Sequence, residues 1–324
     1  MTTLLTRILL AAMLLAIATP GRAADKFTML FAAPNVVPAF VPLHIAKAKG
    51  YFAARGLDPE FIDGKGGADV AKQVAVGNAD FGCAIGDTPI FVRPNGLPVR
   101  GVAMLGQGSL SYIFTRKDRG IQTLADLKGK RIGVVSFQNA NYYALLATLA
   151  AEGIRKQDVS IESVGPAGIF KLMMSGDLDA ISNVVENAQD FERMGLEVQT
   201  FPVAKIFPAL PQVILASDEM IAKKPELVGK VIAATLQAIG DIIANPDQAA
   251  KDYVASLPQY RGQEQFYSAV LRRYVADVYK VGDIKQMALF DPKRLETVQK
   301  FYLDNGIITK PVPVEDLYTN KFVQ

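Results

Sequence analysis

The 324-residue chain contains one cysteine, one histidine and no tryptophan. Each scarcity removes a class of chemistry. Cys83 lies in the apolar run from Asp80 to Ile85, cannot form an intramolecular disulfide, and reads as a small buried hydrophobe. His44 has no second His or Cys with which to share a metal, so a zinc or di-histidine centre is excluded, and no cofactor is expected. As a general base it would need an orienting partner that the sequence does not offer, so it reads as a helix-surface or pocket-wall residue. No nucleophile–base pair and no carboxylate dyad is visible, and no enzymatic activity is expected. Without tryptophan, any aromatic platform falls to Phe or Tyr. An excess of one charge is lacking too: 35 basic residues stand against 32 acidic ones. Two of the basic residues, Arg7 and Arg22, fall in a leader. The remainder is near neutral and makes no case for nucleic acid or a membrane surface.

Residues 1–23 read as a secretory signal peptide. Arg7 opens a charged region, Ile8 to Ile17 is apolar, and Gly21 and Ala23 put small residues at −3 and −1 of a cleavage site. The apolar run is too short to span a bilayer. No cysteine stands at the cleavage point to accept a lipid, so a free periplasmic protein is expected, not a lipoprotein.

Half of the residues are hydrophobic, enough for a large core in more than one lobe. The chain is organised around Leu124 to Gly153. There Arg131–Val135 reads as a buried strand and Tyr142–Ala151 as a helix, with the polar loop Ser136–Asn141 between them. A polar loop joining strand to helix leaves free backbone N–H groups above the strand end, where ligands bind in open α/β sheets. Residues 66–82 and 165–181 align without a gap, sharing Gly66/Gly165, Ala68/Ala167, Lys72/Lys171, Gly77/Gly176 and Asp80/Asp179. The shared glycines fall at helix entries and caps. One strand–helix–strand–helix–strand unit is thus expected to occur twice, the alternative being a chance likeness of two such segments. Three pairs of equivalent loops would surround one cleft: Asn35–Phe40 with Ser136–Asn141, Gly64–Gly67 with Gly165–Pro166, and Gly86–Thr88 with Asn183–Asn187. Extended crossings are expected at Ala103–Thr115 and Phe207–Ser217. They divide the mature chain into lobe 1, residues 24–108 plus 216–324, and lobe 2, residues 109–215. After Asp218 the pattern is helical, at Pro225–Ala244, Asp247–Ser256, Gln263–Tyr279 and Pro292–Asn305, with apolar spacing suited to packing on lobe 1.

The segments AKAKGYFAARGLDPEFI, VAVGNADFG, LADLKGKRIGV, SGDLDAI, KKPELVGKVIAATLQAI and FYLDNGIITKPVPVEDLYTNKFV jointly carry a family resemblance. The chain resembles the substrate-binding proteins of bacterial ABC importers for thiamine pyrimidine precursors, riboflavin, aliphatic sulfonates and nitrate. The resemblance implies an α/β fold of the periplasmic binding protein type II class. It also implies a monomeric receptor that closes two lobes on a solute by hinge motion and delivers it to a permease and its ATPase. Where the family has a His in the first loop this chain has Phe40, and His44 stands where it has a Tyr.

The expected ligand-binding set is Asn35, Phe40, Gly66, Gly67, Asp87, Thr88, Gln107, Ser136, Gln138, Asn139, Asn141, Asn183 and Glu186. Amides, hydroxyls and acids dominate it, and Lys65 is the one base in these loops. This favours a neutral or weakly basic flat heterocycle over an organic anion such as a sulfonate, nitrate or aromatic carboxylate. Glu186 has two readings: a cleft carboxylate facing an amine or ring N–H, or an acid that starts the next helix. A pyrimidine synthase is a further alternative. The fungal enzymes that share the fold depend on a cysteine-rich motif and active-site histidines, which this composition lacks.

Overall fold

A computed structural model describes residues 24–279 and 282–323; the expected signal peptide lies outside the described residues. In chain order the first half supplies β1 (Asp25–Phe31), β2 (Leu57–Asp63), β3 (Phe81–Ile85), β4 (Val99–Met104) and β5 (Ser111–Arg116). The second supplies β6 (Arg131–Val134), β7 (Ser160–Ser163), β8 (Ala180–Val184), β9 (Val198–Pro202) and β10 (Gln212–Ser217).

These strands make two sheets of the same design, ordered β2-β1-β3-β10-β4 and β7-β6-β8-β5-β9. In the first, β1 pairs parallel with β2 and β3, and β10 runs antiparallel between β3 and β4. In the second, β6 pairs parallel with β7 and β8, and β5 runs antiparallel between β8 and β9. The antiparallel strand of each sheet is thus the one that has just crossed from the other half of the chain. Two lobes result. The expected boundary at 215/216 falls inside β10, which pairs wholly within the first sheet.

β3 is a short apolar strand and β8 a short strand carrying Ser182 and Asn183; both are buried along nearly their whole length, as expected for sheets covered on both faces by helices. The helices Gly67–Ala75 and Gly165–Ser175 follow β2 and β7 and are closed by Gly77 (φ 78°) and Gly176 (φ 80°), where a side chain would be strained.

Pro225–Ala244 buries Val228, Val231, Ile232 and Ile239 and packs on the helix Val41–Ala48 of the first lobe. The expected helix Gln263–Tyr279 departs from its reading. It is α-helical only over Glu264–Arg273 and continues as a π-helix over Tyr274–Tyr279. The wider turn lets Tyr274, Val278 and Tyr279 all be buried, and the Val278 carbonyl accepts from the backbone N–H groups of Gln107 and Gly108 at 2.8 Å each. The Glu264–Arg273 helix also touches the second lobe's Asn187–Arg193 helix, where Arg193 lies over the Phe266 ring at 4.5 Å, so packing on lobe 1 alone does not describe it.

Candidate functional site between the lobes

The loops that follow the parallel strands of both sheets converge. Gly66 has φ +109°, and a Cβ there would lie 3.4 Å from the Gln138 carbonyl oxygen, so the Gly64–Gly67 turn of one lobe abuts the Ser136–Asn141 loop of the other. A Cβ at Gly67 would come within 2.7 Å of Thr88 Oγ1. Farther along, Phe91 of the first lobe stacks on Tyr143 of the second with ring centroids 3.9 Å apart and planes 18° from parallel. The lobes are therefore in contact.

The expected polar loop is shorter than its six residues. Asn139 caps the helix Ala140–Ala151 by accepting from Asn141 N at 2.9 Å, which draws Ala140 and Asn141 into the helix. Ser136 Oγ accepts from Gln138 N at 3.1 Å, while the Gln138 side chain is exposed. Asn141 is committed to the lobe itself. Its Oδ1 accepts from Ser111 Oγ at 2.8 Å, its carbonyl accepts from Ser182 Oγ at 2.7 Å, and its Nδ2 reaches Asn183 Oδ1 at 3.4 Å. Asn183 then keeps its amide N–H₂ as a donor.

In the first lobe, Asn35 donates from both its backbone N and its Nδ2 to Asp63 Oδ1 at 2.7 Å each. Phe40 is core: its ring packs on Phe31 at 4.4 Å, so in this arrangement it offers no platform to a solute. Gln107 is exposed on the first crossing. Thr88 Oγ1 donates to the Ile85 carbonyl at 2.6 Å. Asp87 is buried with both oxygens engaged, Oδ1 by Leu210 N at 2.9 Å and Oδ2 by the Tyr302 hydroxyl at 2.6 Å. Burial raises its carboxyl above the ordinary range, against those two bonds and the Arg294 charge.

Glu186 differs. It stands at the N-cap of the Asn187–Arg193 helix without capping it through its side chain, and it is 3% exposed. Its Oε2 accepts from the Tyr274 hydroxyl at 2.8 Å, while Oε1 is buried with no hydrogen-bond partner. The neighbouring Asn187 Oδ1 and Gln189 Oε1 are also buried and unpaired. Burial pushes the Glu186 carboxyl up to about 7; its backbone contact and the Tyr274 bond oppose the rise, and the Asp190 charge adds to it. Three acceptors without donors thus fall within four residues of chain at the start of the Asn187–Arg193 helix.

Sequence reasoning missed the tyrosines that hold the two acids and the arginine behind them. Arg294 donates to the carbonyls of Gln107 and Pro208 at 2.9 Å each and to that of Ala209, so one guanidinium joins both crossings. Nothing local marks these residues; they lie in ordinary helical patterns far along the chain. A separate depression of about 770 Å³ runs along the β1–β2 edge, lined by Lys26, His44, Asp58, Glu60 and Asp80 among others, and shares only Asn35 with the expected set.

Two similar α/β lobes, exchanging one strand each across a double crossing, define the periplasmic-binding-protein fold. The chain belongs to the family described as NMT1/THI5 like, which matches residues 37–249. It is similar to the riboflavin-binding protein RibY of Chloroflexus aurantiacus, 27% identical over 295 residues, covering 90% of this chain and 83% of that protein. It is also similar to the yeast (Saccharomyces cerevisiae) 4-amino-5-hydroxymethyl-2-methylpyrimidine phosphate synthase THI12, 25% identical over 304 residues, covering 86% and 88%. Among solved structures, the alkanesulfonate-binding protein SsuA from Xanthomonas axonopodis pv. citri bound to MOPS superposes with a TM-score of 0.72. That pair is 18% identical, with 92% of this chain and 99% of that chain covered, a likeness of fold. With binding proteins among these relatives, the expected solute-binding role holds.

Proposed function

We propose that this protein is an exported receptor that closes its lobes on a small flat heterocycle bearing N–H donors and delivers it unchanged to an ABC permease and its ATPase. The observation that carries the reading is the trio of buried, unpaired acceptors at Glu186, Asn187 and Gln189, which a donor-bearing solute would satisfy. The Asn183 amide, on β8 just before this stretch, keeps a donor. Lys65 is the only cation in the expected loops, which argues against a dedicated site for a strong anion. One His and one Cys argue against a synthase of the yeast type, and so does the expected export leader.

Mass spectrometry of the solute retained by protein purified from the periplasm tests this directly. Recovery of an N–H-bearing heterocycle is the expected result; a sulfonate or carboxylate would redirect the reading to an anion receptor. Calorimetric titration with the recovered solute should then show Glu186→Gln losing about 1.5–3 kcal/mol of affinity, the scale of a charge-assisted hydrogen bond.

A further inference from the structure

The contact between Glu186 and Tyr274 joins parts of the molecule that hinge motion would separate. Glu186 follows β8 in the second lobe. Tyr274 opens the π-helix, which continues the Glu264–Arg273 helix and is anchored to the first crossing through the Val278 carbonyl. A second bond runs the same way: the Tyr112 hydroxyl of β5 donates to Asp277 at 3.3 Å, and Arg273 pairs with that carboxylate at 3.1 Å. The titratable groups that interact with Glu186 are the hydroxyls of Tyr274 and Tyr279 and the Asp190 carboxylate of the helix it starts. Asp190 is partly neutralised by Arg193 at 3.3 Å, and Cys83 lies beside Tyr279. No cation faces Glu186 among the described residues, and its Oε1 meets no donor. An ionised carboxylate in that place would be desolvated with only the Tyr274 hydroxyl and its own backbone contact to hold it; a carboxylic acid fits.

We propose that Glu186 and Tyr274 form a proton-linked latch: the empty protein closes with Glu186 as the neutral acid, and opening releases its proton to water. In the closed form the carboxyl titrates at about 7, whereas a solvated glutamate titrates near its ordinary 4.5. Between those values the closed form holds one proton more than the open form, so rising pH favours opening across that window and has no further effect above it. Near neutral pH the empty receptor is thereby held open. A solute that brings an N–H donor to Oε1 replaces the proton and permits closure with the carboxylate ionised. The latch itself is a property of the empty chain and does not depend on which solute is carried.

The test uses the solute-free, full-length mature protein with spin labels at two exposed positions, one in each lobe, introduced by Lys72→Cys and Lys171→Cys; Cys83 is fully buried. Pulsed dipolar distance measurements between pH 4 and 8 should show the short-distance population shrinking from about pH 4.5 to 7, by up to tenfold in the closed-to-open ratio per pH unit. Glu186→Gln should remove this dependence and leave the protein closed across the range. Tyr274→Phe deletes the donor that favours the ionised form, so it should move the closed-form titration to higher pH and lower the closed fraction at every pH. A parent profile that is flat with pH would overturn the proposal. So would a Glu186→Gln profile identical to the parent's, or, should that variant not fold, an unshifted Tyr274→Phe profile.

Discussion

Asp87 and Glu186 occupy matching points of the two lobes, each just beyond the buried strand β3 or β8, and each accepts a hydrogen bond from a tyrosine of the C-terminal helices, Tyr302 at 2.6 Å and Tyr274 at 2.8 Å. The halves nevertheless use the position differently. Asp87 receives a second bond from Leu210 N, on the return crossing, and has no acceptor capacity aimed at a solute. Glu186 keeps one oxygen unpaired. A duplicated carboxyl has become a hinge fastener in one lobe and a candidate recognition group in the other.

Asp87→Ala should therefore destabilise the protein before it affects binding. The change strands Leu210 N and the Tyr302 hydroxyl in a buried setting, a cost of about 1–3 kcal/mol. A lower urea midpoint with an unchanged slope is the expected outcome. Affinity measured well below the melting temperature should change by less than that of Glu186→Gln.

His44 makes a pH prediction of the opposite sign to Glu186. Its Nε2 donates to the Asn35 carbonyl at 2.8 Å, and burial lowers its pKa from the ordinary 6.5; the Asn35 bond opposes this and the Lys47 charge adds to it. The folded form thus binds fewer protons than the unfolded chain, so stability is intact above about pH 6.5 and falls as the solution is acidified below it. His44→Gln should flatten that acid limb. Thermal melts of both proteins from pH 7.5 to 5 check it; parallel curves would show that His44 titrates normally.

The parts legible in the sequence are those specified by neighbours in the chain. The strand Phe81–Ile85 and the helix Pro225–Ala244 have the bounds their patterns indicate, because β-branched and apolar spacing and a Pro at the helix start are local signals. The glycines shared by residues 66–82 and 165–181 marked a repeat that the two matching sheet orders display. What could not be read was set by distant partners. The π-helix at Tyr274 depends on Val278 meeting Gln107 and Gly108, and helical periodicity carries no trace of that contact. Asp87 looked like a cleft acid because its partner Tyr302 lies 215 residues away. Phe40 looked like a platform because its loop was right, while its ring is taken up by Phe31.

Phe91→Leu should weaken solute binding without reaching the solute. The ring stacks on Tyr143 across the lobes, a contact made only when the lobes meet, and touches Tyr302 of its own lobe at 4.9 Å. A stacked pair adds about 0.5–1.5 kcal/mol beyond area burial, which corresponds to roughly two- to twelvefold in affinity. Leucine keeps the apolar contact with the first lobe, so the melting temperature of the empty, open form should move little. Titration and melting of both proteins separate a closure contact from a core residue; a large fall in melting temperature with unchanged affinity would assign Phe91 to the core.

Arg294 ties the two crossings, and its geometry demands a guanidinium. Three carbonyls, of Gln107, Pro208 and Ala209, receive its N–H groups. They belong to the segments joining β4 to β5 and β9 to β10, on which every relative movement of the lobes must turn. Burial lowers the pKa of the group, while the Asp87 and Asp291 charges favour its protonated form. A lysine ammonium keeps the charge but is a point donor on a flexible stem and cannot span three carbonyls in a fork. Arg294→Lys should thus leave one crossing unbraced and cost about 1.5–3 kcal/mol of stability, the scale of a hydrogen bond to a charged group. The sharper expectation is dynamic: the distance distribution between labelled lobes of the empty protein should broaden toward both shorter and longer values, because the unbraced crossings flex more widely about whichever state the pH favours. Glu186→Gln, in contrast, should shift that distribution toward closure without broadening it. An Arg294→Lys protein with parental stability and a distribution as narrow as the parent's would show that the crossings hold their geometry through the sheets alone.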